Sequence, residues 1–166
     1  MDTERFDNSL ESRPPTLDDL VELCKSLNNR NVKYIVIGGM AVINAGLPRA
    51  TVDIDILVDA SADNMENVIN ALMYLPDKAV KELKVTDVEN YTVVKVADEI
   101  VIDLMKSACG ITYEEANKSI YKVKIQDVEI PFASIELLYK MKQTLREKDK
   151  SDLLFLEEKL KNKKNQ

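Results

Sequence analysis

Histidine is absent from this chain of 166 residues, and only two cysteines occur. Without histidine there can be no His-based triad, no imidazole acid–base catalysis and no His–zinc site. Polar chemistry is left to Asp, Glu, Lys, Arg, Ser, Thr, Tyr and Cys. Cys24 and Cys109 lie far apart and form no CxxC pair. The expectation is two reduced, buried thiols rather than a bridge or a zinc site. No window approaches the roughly 18 apolar residues of a membrane span, so no membrane association is expected. The first residues, Met1-Asp2-Thr3-Glu4-Arg5, lack the basic start and apolar run of a secretory signal, which predicts a cytoplasmic protein. The formal net charge of −6 argues against a general polyanion binder, although lysines gather between Lys140 and Lys164.

What is present is an ordinary globular composition, 45% hydrophobic and 31% charged, at a length that suits one domain. Residues 1–15, ending in Pro14-Pro15, read as a flexible arm, and 16–166 as the domain. Thr16 reads as the N-cap of a helix, with Asp18 and Asp19 in its first turn and Leu17, Leu20, Val21, Cys24 and Leu27 at helical spacing. Tyr34–Ile37 reads as a strand ending at Gly38-Gly39, followed by a short helix from Met40 to Ala45. Val52–Val58 reads as a second strand. A helix from Ala62 to about Leu75, capped by Ser61, precedes a short helix within 77–83. Two hairpins follow, Tyr91–Val96 with Glu99–Leu104 and Tyr121–Ile125 with Val128–Phe132. A helix capped by Thr112 lies between them. Two C-terminal helices, from Ser134 to about Leu145 and from about Lys150 to Lys161, complete the pattern. The predicted fold class is α/β (α+β): one domain with a mixed β-sheet flanked by helices.

Two features carry chemistry. Asp53 and Asp55 flank Ile54; on a strand such residues share a face, roughly 6–7 Å apart. Two like charges so placed repel, and a hard cation such as Mg²⁺ would neutralise them. A solvated strand face would show the same pattern. Upstream, Gly38-Gly39 joins a strand to a helix, where bare backbone N–H groups can approach a phosphate closely. A simple tight turn would also look like this. Thirteen residues separate Gly39 from Asp53.

Ile37-Gly38-Gly39 followed by Asp53-Ile54-Asp55-Ile56 resembles the signature of the polymerase-β-like nucleotidyltransferase superfamily. Arg49-Ala50-Thr51-Val52 before the aspartates matches the R-x-T-x-D-I-D form of small bacterial members. The stretch Leu138–Lys142, with Arg146–Asp149 and Asp152-Leu153, is similar to minimal members that include AbiEii-type toxins of toxin–antitoxin systems. The resemblance implies a nucleotidyltransferase fold, a nucleoside triphosphate substrate and two Mg²⁺ ions. It assigns the metals to Asp53 and Asp55, with a third carboxylate from a neighbouring strand, for which Asp103 is the candidate and Asp87, Glu89 and Asp98 weaker ones. Gly38, Gly39, Arg49 and Thr51 would hold the nucleotide. Lys142, Arg146 and Lys148 are candidate triphosphate contacts, or else solvated surface lysines and arginine. The implied acceptors are tRNA or another macromolecule, or a small antibiotic-like molecule, and an antitoxin partner comes with the toxin reading. A non-catalytic nucleotide- or partner-binding member of the fold is the alternative.

Overall fold

The computed structural model describes residues 12–142 and 147–165, with the side chains of Glu147 and Lys148 left out. Of the expected arm, residues 1–11 lie outside the described residues. Next to them, the Ser12 hydroxyl donates to the Asp98 carbonyl (2.6 Å) and the Arg13 N–H to the Glu99 carbonyl (2.9 Å).

Helix α1 (Leu17–Asn29) starts at Thr16 in a capping box: the Asp19 N–H donates to the Thr16 hydroxyl, and the Asp19 carboxylate accepts from the Thr16 N–H. Its stripe Leu20, Leu23, Cys24 and Leu27 is buried. Strand β1 (Tyr34–Ile37), helix α2 (Gly38–Asn44), strand β2 (Ile54–Val58) and helix α3 (Ala62–Leu72) follow. A 3₁₀ turn (Ala79–Glu82) and the short α4 (Asp87–Asn90) lead to the hairpin of β3 (Val94–Ala97) and β4 (Val101–Met105). A small two-stranded ribbon, β5 (Ser107–Ala108) and β6 (Ile111–Thr112), and the short α5 (Tyr113–Ala116) precede the hairpin of β7 (Ile120–Ile125) and β8 (Val128–Ala133). Helices α6 (Ile135–Met141) and α7 (Glu147–Lys164) close the chain.

The main sheet runs β3-β4-β2-β1-β8-β7. It is mixed: β2 pairs with β4 and β1 with β8 in parallel, and the other neighbours are antiparallel. The expected α/β class with a mixed sheet is therefore what the chain forms. Ile35, Ile54, Ile56, Ile102, Leu104 and Phe132 fill the core from the strands. Asn64 stitches the sheet to α3. Its side chain accepts from the Lys33 N–H (2.8 Å) and donates to the carbonyls of Lys33 (3.1 Å) and Asp59 (2.7 Å). The residue entering β1 and the residue leaving β2 are thus held by one amide.

Boundaries move where polar groups intervene. Strand β2 begins at Ile54, not Val52, because the Thr51 hydroxyl donates to the Asp53 carbonyl (3.0 Å) and closes a bend ahead of the strand. Helix α2 takes in Gly38 and Gly39 as its first residues instead of starting after them. Helix α6 stops at Met141 rather than near Leu145. Helix α7 begins at Glu147, ahead of Lys150. Cys24 is buried, and burial pushes its thiol up to about 12. Cys109, expected buried, is exposed in the turn between β5 and β6, where its φ is 49°. Both thiols are free.

Asp19 also receives both arms of the Arg13 guanidinium, at 2.6 and 2.8 Å. These bonds hold its carboxyl down at about 2, against the opposing effect of its partial burial and with help from the Thr16 N–H. A lowered carboxyl stabilises the fold above its unfolded value, near 4, and that contribution disappears as pH falls toward 2. Urea unfolding of the wild type should lose stability across this window more steeply than Asp19→Asn, and equal slopes would contradict the assignment.

Candidate active site

Three adjacent strands bring the acidic residues together. In the parallel β2–β4 pair Asp55 stands opposite Asp103, and in the antiparallel β3–β4 pair Asp103 stands opposite Lys95. Because strand side chains alternate, Asp55, Asp103 and Lys95 share one face while Ile54, Ile56, Ile102 and Leu104 turn into the core. Asp53 joins them from the bend that precedes β2. Ligand oxygens of Asp53, Asp55 and Asp103 all lie within 4.8 Å of one another. Asp103 was expected either at a strand end facing water or beside the pair. It sits mid-strand, 8% exposed and beside the pair.

The weaker candidates lie elsewhere. Asp98 is buried and accepts backbone N–H groups of Asp77 (3.0 Å), Ala79 (2.9 Å) and Glu99 (2.8 Å), so it organises a turn. Asp87 accepts from the Lys84 N–H, and Glu89 pairs with Lys106.

The two glycines are required by the chain's own loop. Gly38 has φ +66°, and a Cβ there would lie 2.0 Å from Asp55 Oδ2. Only a residue without a side chain leaves room for that carboxylate and tolerates the left-handed backbone. A Cβ on Gly39 would lie 2.6 Å from the Thr51 hydroxyl oxygen and 3.0 Å from Arg49 Nη2. The segment 49–55 is thus pressed against the glycine turn. Ile37 occupies the N-cap of α2 and supplies no side-chain hydrogen bond to it.

Behind this turn lies a buried ion cluster. Arg49 grips Asp152 with Nε and Nη2, both at 2.9 Å, and donates from Nη1 to the Ala50 carbonyl. Lys142 Nζ reaches Asp149 Oδ1 (3.1 Å) and Asp152 Oδ2 (3.3 Å). Asp149 and Asp152 are fully buried. A shared helix face for Lys142 and Arg146 does not form on α6. Helix α6 ends at Met141, and Lys142, as its C-cap, turns inward to α7. Arg146 and the Lys148 side chain lie outside the described residues.

The site opens into a cleft of about 590 Å³ that the carboxylates, Lys95, Gly38, Gly39, Arg49, Thr51 and Lys142 line, with apolar walls at Val52, Val93, Met105, Ala108 and Met141. Lys95 and this apolar wall were not identified from the sequence. Lys95 Nζ donates to Asp103 Oδ1 at 2.8 Å. Partial burial works against its charge, but the hydrogen bond to Asp103 and the nearby charges of Asp103, Asp53 and Asp55 outweigh that and raise its pKa. The sequence signal for Lys95 was the alternation Val94-Lys95-Val96 opposite an acidic position in a predicted hairpin. At about 5 Å and an effective dielectric near 20, each carboxylate pair repels by roughly 3 kcal/mol. Lys95 offsets one charge, and two remain. An all-carboxylate donor set with two uncompensated charges fits a hard divalent cation and offers nothing to a soft one.

Two substitutions test this construction. Gly38→Ala should cost about 1–2 kcal/mol from the backbone alone and expel the Asp55 carboxylate from its notch. Chemical denaturation and a crystal structure of the variant would check both effects. Asp152→Ala should destabilise by about 3 kcal/mol, the low end for breaking a buried ion pair, since Arg49 keeps some solvent contact and Lys142 keeps Asp149. An unchanged denaturation midpoint would contradict a structural role for this cluster.

No family model matches the chain, and no curated protein matches it. Among solved structures it is similar to a candidate nucleotidyltransferase from Thermotoga maritima, with a TM-score of 0.56 and 21% sequence identity, covering 89% of this chain and 92% of that one. The likeness runs over nearly the whole of both chains and shows a shared nucleotidyltransferase-like fold.

Proposed function

We propose that the chain is a Mg²⁺-dependent nucleotidyltransferase that moves a nucleoside monophosphate from a nucleoside triphosphate to an acceptor hydroxyl. One observation carries this reading: Asp103 lies with Asp53 and Asp55 within 4.8 Å, an acidic trio at the head of a glycine turn. The fold shared with the Thermotoga maritima protein supports it. Asp53 and Asp55 would hold one ion together with the triphosphate, and the same pair with Asp103 would hold a second. When bound, these ions supply charge neutralisation at the triphosphate and lower the pKa of the acceptor hydroxyl.

The chain's own residues do the rest. Backbone N–H groups of the Gly38-Gly39 turn face the phosphates, and Thr51 and Arg49 brace that turn from the far side. Lys142 brings its charge to the cleft wall from a fixed position, and Arg146 and Lys148 belong to the same phosphate-contacting stretch. Asp103 accepts the hydroxyl proton through Oδ2, the oxygen that Lys95 does not hold. The hydroxyl oxygen then attacks the α-phosphorus in line, and pyrophosphate leaves. The apolar wall at Val93, Met105 and Met141 excludes water from the reacting groups.

We assign the acceptor to the tRNA class, in a toxin-like enzyme of the cytoplasm whose natural partner is an antitoxin. The exposed lysines Lys159, Lys161, Lys163 and Lys164 on α7 supply the basic surface that such an acceptor requires.

The test is incubation with Mg²⁺ and each labelled nucleoside triphosphate, with total tRNA, protein extract and aminoglycosides offered as acceptors. Label should pass to tRNA, and Asp53→Asn and Asp55→Asn should each lower the rate about 1,000-fold or more while circular dichroism stays unchanged. Full activity in both variants would sink the catalytic reading. Label on another acceptor would replace tRNA and leave the reaction class standing.

A further inference from the structure

Lys95 is the charged group of the cleft that the proposed reaction does not use. Its ammonium sits 2.8 Å from Asp103 Oδ1 and within electrostatic reach of Asp53 and Asp55. Its position is set by register: Lys95, Asp103 and Asp55 lie side by side across β3, β4 and β2. The partners differ in freedom. The Lys95 side chain is 57% exposed, on an edge strand, whereas that of Asp103 is 11% exposed in mid-sheet. A long, solvated side chain can leave and return; the carboxylate cannot.

We infer that Lys95 is a positioning residue that acts as the built-in counter-cation of the acidic trio, competing with the incoming divalent cation at Asp103. This rests on the reading of the trio as a cation site. Without a bound ion, Lys95 supplies the one positive charge that lets three carboxylates stand within 4.8 Å in the folded chain. A cation entering at Asp53 and Asp55 meets a vacant side of the cluster. A cation using Asp103 must displace the ammonium from Oδ1. Lys95 therefore weakens cation binding at Asp103, and the trio fills in order, the Asp53–Asp55 side first.

The experiment is Mn²⁺ binding to the full chain without nucleotide, followed by titration calorimetry and by the electron paramagnetic resonance signal of free Mn²⁺. The variants are Lys95→Met and Lys95→Arg. Lys95→Met should bind Mn²⁺ about tenfold more tightly, and Lys95→Arg, which keeps the charge, should stay within about twofold of wild type. In an Asp103→Asn background the Lys95→Met effect should shrink to about threefold or less, because the contested oxygen has lost its charge. Thermal melts give an independent measure: Lys95→Met should melt lower than wild type without metal, and Mn²⁺ should raise its melting temperature by the larger increment. Equal or weaker Mn²⁺ binding by Lys95→Met would overturn the inference while leaving the cation site intact. Absence of Mn²⁺ binding by wild type and Lys95→Met alike would overturn the cation-site reading and this inference together.

Discussion

Mutual repulsion among Asp53, Asp55 and Asp103 is the constraint on which the rest of the molecule depends. Their oxygens come within 4.8 Å of one another, and folding must hold them there against Coulomb repulsion. The backbone does this by register. Asp55 and Asp103 are opposed in a parallel ladder whose other faces are locked by Ile54, Ile56, Ile102 and Leu104, all essentially inaccessible. A slip of one residue would send these four into solvent and the aspartates into the core. The burial of aliphatic side chains on one face therefore fixes charges on the other.

The second support is more remote. Helix α7 sends Asp149 and Asp152 inward to meet Lys142 and Arg49. Two cations and two carboxylates balance, so the cluster adds no net field to the cleft while fixing the segment that braces Gly39. Replacing such a network by apolar groups need not destabilise a fold, but removing one member leaves a buried charge without its partner. The C-terminal helix thus belongs to the construction of the cleft, though it contributes none of the three carboxylates.

Much of the fold was legible because local rules and tertiary packing agree. Thr16, Ser61, Thr112 and Ser134 each cap the helix expected of them, and Gln126-Asp127 turns its hairpin with both residues at positive φ. Disagreements arose where side chains compete for the backbone. The Thr51 bond shortened β2 at its start, and Lys142 turned toward α7 instead of continuing α6. The exposure of Cys109 follows from a short β5–β6 ribbon too brief to leave a periodic signal.

In the site, the sequence by itself determined the chemistry on offer: no imidazole, paired aspartates, a glycine turn at fixed spacing, and basic residues near the C-terminus. Those are properties of residue type and local spacing. Only the tertiary structure decided which groups meet. Asp103 was one acid among several until the β2–β4 register set it against Asp55. Lys95 had no apparent role until β3 paired with β4. Gly38 proved to make room for a carboxylate that is 17 positions away in the chain, since Asp55 fills the space a side chain would need. Contacts between residues distant in sequence are set by strand order and register, and these follow from burying the whole core at once rather than from any local stretch of chain.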